Sequence, residues 1–98
     1  MFKTIIIPPV VIPPGGNLSE GWYVYPNPAT SLIIIHQQLT GKLEYHIYDG
    51  KGAIVKAGFI FNRDTYVNIT DLPAGVFVLK LFSGKEPAGI KRFIKIPM

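Results

Sequence analysis

The sequence predicts an all-β domain, a seven-stranded antiparallel Ig-like β-sandwich that follows a proline- and glycine-rich N-terminal arm. From Trp22 onward, short segments rich in Val, Ile, Tyr and Phe alternate with turns that contain Gly, Pro, Asp or Asn. No long stretch repeats apolar residues at the spacing of an amphipathic helix. Several short strands with regular turn signals are typical of two packed antiparallel sheets.

Length and composition exclude several classes of protein. A chain of 98 residues forms one domain at most, and a hydrophobic content of 48% is enough for a core without disulfides. The absence of cysteine excludes a disulfide scaffold and a thiolate metal site. The net charge of +4 is spread along the chain, whereas nucleic-acid binding needs clustered cations and exposed stacking aromatics. We therefore expect no nucleic-acid partner.

Residues 1–21 differ in composition from residues 22–98, and we place the domain boundary between them. One pair of prolines separates the apolar triplets Ile5–Ile7 and Val10–Ile12, a second pair follows them, and a Gly-rich stretch comes next. Proline favours extended backbone and removes hydrogen-bond donors. We expect a linker; the alternative is an arm whose triplets pair with a sheet edge of this molecule or a neighbour. The prolines also interrupt the apolar start, so we expect an ordinary chain start rather than a signal peptide.

The first three strands lie between clear turn signals. Trp22–Tyr25 is aromatic and ends at a proline, and Leu32–Gln37 contains three consecutive isoleucines. Leu43–Tyr48 alternates between two sets of side chains, as the two faces of a strand do. The Asp-Gly pair within Asp49–Gly52 predicts a hairpin turn after it.

The last four strands are predicted from similar patterns. Ala53–Phe61 follows the hairpin turn, and Tyr66–Ile69 is shorter. Val76–Phe82 is apolar on both faces, which predicts a central strand or one covered on both sides. After a turn over Ser83–Gly89, the alternation of Lys, Phe and Lys in Ile90–Ile96 predicts an edge strand with its cations directed outward.

The side chains that could support catalysis or metal binding are few. His36 and His46 are the only histidines, and a zinc site needs three or four ligands, so we interpret both as strand residues. Asp49, Asp64 and Asp71 lie in predicted turns, where aspartate bonds the nearby backbone, and no calcium-loop pattern surrounds them. No nucleophile or phosphate-binding motif occurs. We expect no enzyme activity, no metal and no cofactor.

Three aromatic residues, Trp22, Tyr23 and Tyr25, leave an alternative function open. They could form the start of a core strand, which we favour, or a platform on which sugar rings stack. The second possibility describes a carbohydrate-binding or cell-surface adhesion module. An exposed, coplanar pair of these rings would favour that module, and burial of all three would argue against it.

Four short motifs occur in order along the predicted sandwich. They are Val24-Tyr25-Pro26-Asn27-Pro28-Ala29, Tyr48-Asp49-Gly50-Lys51-Gly52, Leu72-Pro73-Ala74-Gly75-Val76-Phe77 and Lys91-Arg92-Phe93-Ile94-Lys95. In this order and spacing the chain resembles the C-terminal sorting domains of type IX secretion in Bacteroidetes, the Por secretion system tails, in their type A form. One departure is Ala53, which stands where the family often has a cation.

The resemblance implies a non-catalytic signal. Such a domain directs a covalently linked N-terminal cargo from the periplasm through the outer membrane, with the type IX translocon and shuttle components as partners. A sortase-like cysteine protease then removes the domain, and the cargo is released or attached to the cell surface. Apart from the resemblance, a third possibility is self-association as a homodimer, in which the arm of residues 4–12 or the terminal strand adds to a neighbour's sheet edge.

The resemblance also indicates which residues act. The expected motif and recognition residues are Pro26, Asn27, Pro28, Asp49, Gly52, Leu72, Gly75, Lys91, Arg92, Phe93 and Lys95. On the last hairpin we expect the three cations to be exposed charged contacts and Phe93 to be an anchor. Flexible backbone enters a protease cleft more readily than a folded strand. The expected cleavage region is therefore Gly15, Gly16, Asn17, Leu18, Ser19, Glu20 and Gly21.

Overall fold

The computed structural model describes residues 21–97, which form seven β-strands. The strands are β1 (Trp22–Tyr25), β2 (Leu32–Gln37), β3 (Leu43–Tyr48), β4 (Ile54–Ile60), β5 (Asp64–Asn68), β6 (Gly75–Ser83) and β7 (Glu86–Lys95). Within this part of the chain there is no helix that could cross a membrane. The predictions for residues 1–20, including the arm and the chain start, lie outside the described residues.

The strands form two antiparallel sheets, in the orders β1-β2-β5 and β4-β3-β6-β7. Their facing sides enclose one core, and the prediction of a two-sheet sandwich is confirmed. The largest fully buried side chains are Trp22, Phe93, Ile33, Ile35, Ile47, Ile69, Leu79 and Leu81. Strand β6 is central, as predicted, because it pairs with β3 on one side and β7 on the other.

Strand β7 begins at Glu86, four residues earlier than predicted. The β6–β7 turn consists only of Gly84 and Lys85, since Ser83 already pairs with Glu86. Gly84 has a φ of 65°, a conformation that glycine adopts without steric cost. Pro87 is tolerated inside the strand because β7 is at the edge of its sheet, where a missing N–H need not break a ladder.

The registers define two ends of the sandwich. Tyr48, the last residue of β3, lies opposite Val78, and Gly75, the first residue of β6, lies opposite Lys95 near the end of β7. The end of the sandwich that holds these residues is called the motif end below. Trp22 starts β1 at the other end, opposite Gln37.

Candidate functional site

The segment Pro26–Ala29 covers the free edge of β7. The Asn27 side chain donates from Nδ2 to the Arg92 carbonyl at 3.3 Å and accepts the Ile94 N–H at Oδ1 at 2.9 Å. Ala29 continues the contact, because its N–H donates to the Ile94 carbonyl and its carbonyl accepts the Ile96 N–H, both at 2.8 Å. The Asn27 amide therefore replaces the peptide group of a neighbouring strand and satisfies an edge that would otherwise be open.

The third motif contacts the same strand from inside the sandwich. The Lys95 ammonium donates to the Leu72 carbonyl at 2.9 Å, in a buried position. The Leu72 side chain itself belongs to the core. Because a buried ammonium is costly without a partner, this hydrogen bond links the loop before β6 to the last residue of β7.

The second motif forms a turn of its own at the same end. Asp49 Oδ1 accepts the N–H groups of Lys51 at 2.8 Å and Ala53 at 3.0 Å, as expected for an aspartate in a turn. These backbone hydrogen bonds, that from Ala53 most strongly, hold the pKa of the Asp49 carboxyl below its ordinary value. Gly52 has a φ of 85°, which favours glycine at that position. The four motifs, distant in sequence, thus meet at the motif end.

Lys91, Phe93 and Lys95 point into the sandwich, so the predictions of outward cations and of an exposed Phe93 anchor are wrong. Phe93 is 1% exposed and stacks on Phe77, with ring centroids 5.6 Å apart. Side chains two residues apart share a face of a strand, so both lysines are buried with it. Their long stems allow this, because each ammonium reaches an electron-rich partner; that of Lys91 lies 5.0 Å from the centre of the Trp22 ring.

The opposite face of β7 is apolar and in contact with solvent. Ile90 is 57% exposed and Ile94 is 43% exposed, and Arg92 between them is also exposed. Together with Val76 and Val78 of β6 they line a shallow groove of about 640 Å³ at whose side Asn27 lies. These residues are called the outer β6–β7 surface below: Val76, Val78, Ile90, Arg92 and Ile94. Of the cations predicted to be exposed, only Arg92 belongs to it.

The aromatic residues of β1 do not form the exposed, coplanar pair of rings that the alternative of a sugar-binding module requires. Trp22 is fully buried, and its Nε1 donates to the Ala88 carbonyl at 3.3 Å. Tyr23 and Tyr25 are half-buried, and their rings are tilted by 41° with centroids 5.6 Å apart, so they are not coplanar. Burial, with a smaller contribution from the Asp64 carboxylate, raises the pKa of Tyr25. The prediction that Trp22 starts a core strand is confirmed.

Both histidines form local polar contacts on strands. His36 Nδ1 lies 2.6 Å from Asp64 Oδ1, and His46 Nε2 lies 2.8 Å from Glu44 Oε2. Over residues 21–97, no group of three or more His, Cys, Asp or Glu side chains is placed to hold a metal ion. The two histidines stay half-buried strand residues, as interpreted from the sequence.

Gly21, the last residue of the predicted cleavage region, is fixed to the sandwich. Its carbonyl accepts the Gln38 N–H at 2.8 Å, and its φ is 82°. A Cβ at this position would lie 2.8 Å from Cδ2 of Leu39, the end of a flexible side chain that can shift, so it is the positive φ that favours glycine. The other six residues of the region lie outside the described part of the chain.

Comparisons with known proteins identify the family of the chain. The family model described as a secretion system C-terminal sorting domain matches residues 18–96. The fold is similar to part of PorZ, an essential bacterial surface component of the type IX secretion system of Porphyromonas gingivalis. That similarity has a TM-score of 0.67 and 22% identity, and it covers 84% of this chain but 12% of the PorZ chain. No curated protein matches. The chain belongs to the family of type IX secretion system C-terminal sorting domains, which are sorting signals and not a family of enzymes.

Proposed function

We propose that the outer β6–β7 surface is the part of this sorting signal that the secretion machinery recognises. The observation that carries the proposal is the inverted polarity of β7, which buries two lysines and leaves isoleucines in water. Exposed aliphatic area is a free-energy cost in the isolated domain, at roughly 25 cal/mol per Å². A partner that covers the isoleucines and pairs with Arg92 removes that cost.

The motif residues support this surface from behind and from the side. Asn27 and Ala29 hold the edge of β7, and Lys95 ties its end to Leu72. These contacts fix which face of β7 meets solvent. The motifs are therefore positioning residues for the recognition surface, and Lys91, Phe93 and Lys95 act through the fold rather than by contact with a partner.

The two ends of the sandwich suit a tail that carries cargo. The polypeptide reaches Trp22 at the end of the sandwich opposite the motif end, so a protein joined before residue 21 leaves the motif end accessible. The proposed partners are the type IX translocon, its shuttle components and a sortase-like cysteine protease. The proposed route passes through the periplasm to the cell surface or the medium. Cleavage falls in residues 15–20, because the Gly21 carbonyl is hydrogen-bonded within the sandwich. We also propose, separately from recognition by the secretion machinery, that two copies of the chain form a homodimer by strand addition.

Secretion of a fluorescent fusion tests the proposal. Residues 17–98 are fused to a fluorescent protein with a periplasmic signal and expressed in Bacteroidetes strains with and without the translocon. We expect Arg92→Glu/Ile94→Glu to lower translocon-dependent fluorescence outside the cell by at least about tenfold, since it reverses the charge that the partner pairs with and adds a charge to the apolar part of the surface. The core face of β7 is unchanged in this variant.

The matched control is Tyr66→Glu, on the outer side of the other sheet, where Tyr66 is 67% exposed. We expect it to be secreted like the parent fusion. Unfolding curves of both purified variants separate loss of recognition from loss of folding. Normal secretion of a folded Arg92→Glu/Ile94→Glu fusion would contradict the proposed surface.

A further inference from the structure

Strand β4 forms the other edge of the four-stranded sheet, and among residues 21–97 nothing covers its outer edge. Within residues 21–97, β3 is the only strand bonded to β4, and no loop donates to or accepts from its backbone. An unpaired strand edge presents a row of N–H and C=O groups that can bind another extended chain.

The stretch Lys56–Ile60 of this edge lacks most of the features that usually prevent such pairing. The bulge in the pairing with β3 lies before it, at Val55, because the neighbouring residues Ile47 and Tyr48 pair with Lys56 and Ile54. It contains no proline, and its one charged side chain, Lys56, is directed to Asp71 with Nζ 3.1 Å from Oδ2. Proline, bulges and charges are the common means of protecting an edge strand; this stretch has no proline and no bulge, and its inward-facing Lys56 is paired with Asp71.

Large apolar side chains border the same edge. Phe59 is 51% exposed and Phe61 is 86% exposed, and their ring centroids are 6.4 Å apart. Side chains of this size in water are a liability for the isolated chain, and they can be covered by an apolar partner strand.

We infer that β4 is an interface for a second copy of this chain, which adds its own β4 in antiparallel orientation centred on Gly58. In this register Ala57 faces the partner's Phe59, and Lys56 faces the partner's Ile60. Each pair sets a small or flexible side chain against a bulky one, and no like charges stand directly opposite each other. The two copies then share one eight-stranded sheet related by a two-fold axis.

Gly58 suits the centre of such an interface. Tyr45 packs over it on the core side, where a Cβ would lie 2.8 Å from the Tyr45 ring. Its backbone is therefore held in place by an aromatic neighbour although it has no side chain. Two facing glycines bring the backbones together without steric hindrance from side chains.

The other strands that could fill the edge fit less well. The apolar triplets Ile5–Ile7 and Val10–Ile12 are each three residues long and are separated by prolines that lack donors, whereas the regular stretch of β4 has five residues. The edge of β7 is already occupied by Asn27 and Ala29. A second β4 matches the length and the side-chain pattern together.

The interface is independent of the proposed recognition function, but it has a consequence for it. A two-fold axis perpendicular to the joined sheet keeps the outer faces of both copies on one side. The dimer presents two outer β6–β7 surfaces to the same partner, which raises the effective concentration of the second contact.

Charge exchange across the interface tests the inference. The molar mass of the 98-residue chain is measured by sedimentation from about 5 to about 500 µM, a range that covers weak dimers. We expect Ala57→Lys/Phe59→Lys and Ala57→Glu/Phe59→Glu each to weaken association by at least about tenfold, because like charges then face each other. An equimolar mixture of the two variants should regain association, since Lys then faces Glu.

Cysteine pairing tests the register, in a chain that has no cysteine of its own. A mixture of Ala57→Cys and Phe59→Cys chains should form an intermolecular disulfide under mild oxidation faster than either variant alone. A monomer at every concentration would overturn the inference. So would a dimer that tolerates the charge changes, or one that disappears when residues 1–14 are removed, which would assign the contact to the N-terminal triplets.

Discussion

The two edges of the four-stranded sheet, β7 and β4, differ in how far their backbone hydrogen bonds are satisfied. Along β7, four hydrogen bonds from Asn27 and Ala29 occupy the backbone. Along β4, no hydrogen bond from the described residues occupies it except those from β3. Both strands have exposed apolar side chains, yet only β7 is held by a segment from the other sheet. The difference indicates that hydrogen bonds hold β7 in one position, whereas the backbone groups along β4 can still pair with another strand.

Strand β7, whose edge is covered, also packs more tightly on the core than β4 does. Trp22 packs against β7, and a Cβ at Gly89 would lie 2.7 Å from its Nε1. On β4 the corresponding large aromatic, Phe59, is half exposed, and Lys42 lies over its ring at 5.6 Å. Strand β7 is therefore held both along its edge and on its core side, which agrees with the proposal that its outer face is recognised.

The largest expected difference between the edges is in the aromatic residues. Trp22→Ala should lower the free energy of unfolding by about 3–5 kcal/mol, because it removes a fully buried indole and leaves a cavity under β7. Phe59→Ala should change it by less than about 1 kcal/mol, since that ring is half in water. Urea unfolding of both variants measures the contrast. Equal losses would show that the edges are equally important for stability.

A smaller effect is expected from the asparagine that covers β7. Asn27→Ala should cost about 1–2 kcal/mol, because the Ile94 N–H and the Arg92 carbonyl lose their partner. Hydrogen exchange of the Ile94 amide should accelerate with it. Asn62→Ala beside β4 is the control, since Asn62 contributes its backbone carbonyl to Gln37, and the substitution leaves that carbonyl in place. Unchanged exchange at Ile94 would contradict the role given to Asn27.

The smallest effect concerns pH. Backbone N–H groups hold the pKa of Asp49 below its ordinary value of 3.8, and the Lys56 ammonium does the same for Asp71 near β4. A lowered carboxyl pKa stabilises the fold fully above the ordinary value, and that stability is lost as the pH falls through the folded value. Asp49→Asn and Asp71→Asn should each flatten the loss of stability below about pH 4. Unfolding by urea at several pH values tests this, and an unaltered acid dependence would refute it.

The strands that the sequence predicts best are those with local signals. The bounds of β1, β2 and β3 agree with the prediction, because proline, glycine and Asp-Gly turns separate them. The predicted start of β7 is wrong because Pro87 and Gly89 are residue types typical of loops. Their place in a strand depends on its being an edge and on Trp22 lying against Gly89, and neither is visible in the local sequence.

The sequence predicts the four motifs but not the direction in which the side chains of β7 point. Alternation along β7 is plain in the sequence, yet the choice of the inner face depends on distant partners. Lys91 lies over Trp22 and Lys95 bonds Leu72, so the rule that charged residues face water fails here. The contacts of Asn27 join residues 65 and 67 positions apart, a pairing for which short-range patterns contain no signal.

The burial of Trp22 gives the domain a built-in optical reporter. Trp22 is the only tryptophan of the chain, and its indole is buried between β1 and β7. The Ala88 carbonyl and the Lys91 ammonium are its polar neighbours. Detachment of β7 exposes that indole to water and shifts its emission to longer wavelength. Intrinsic fluorescence can thus show, without a label, whether β7 is attached to the sandwich, provided that the fused cargo contains no tryptophan.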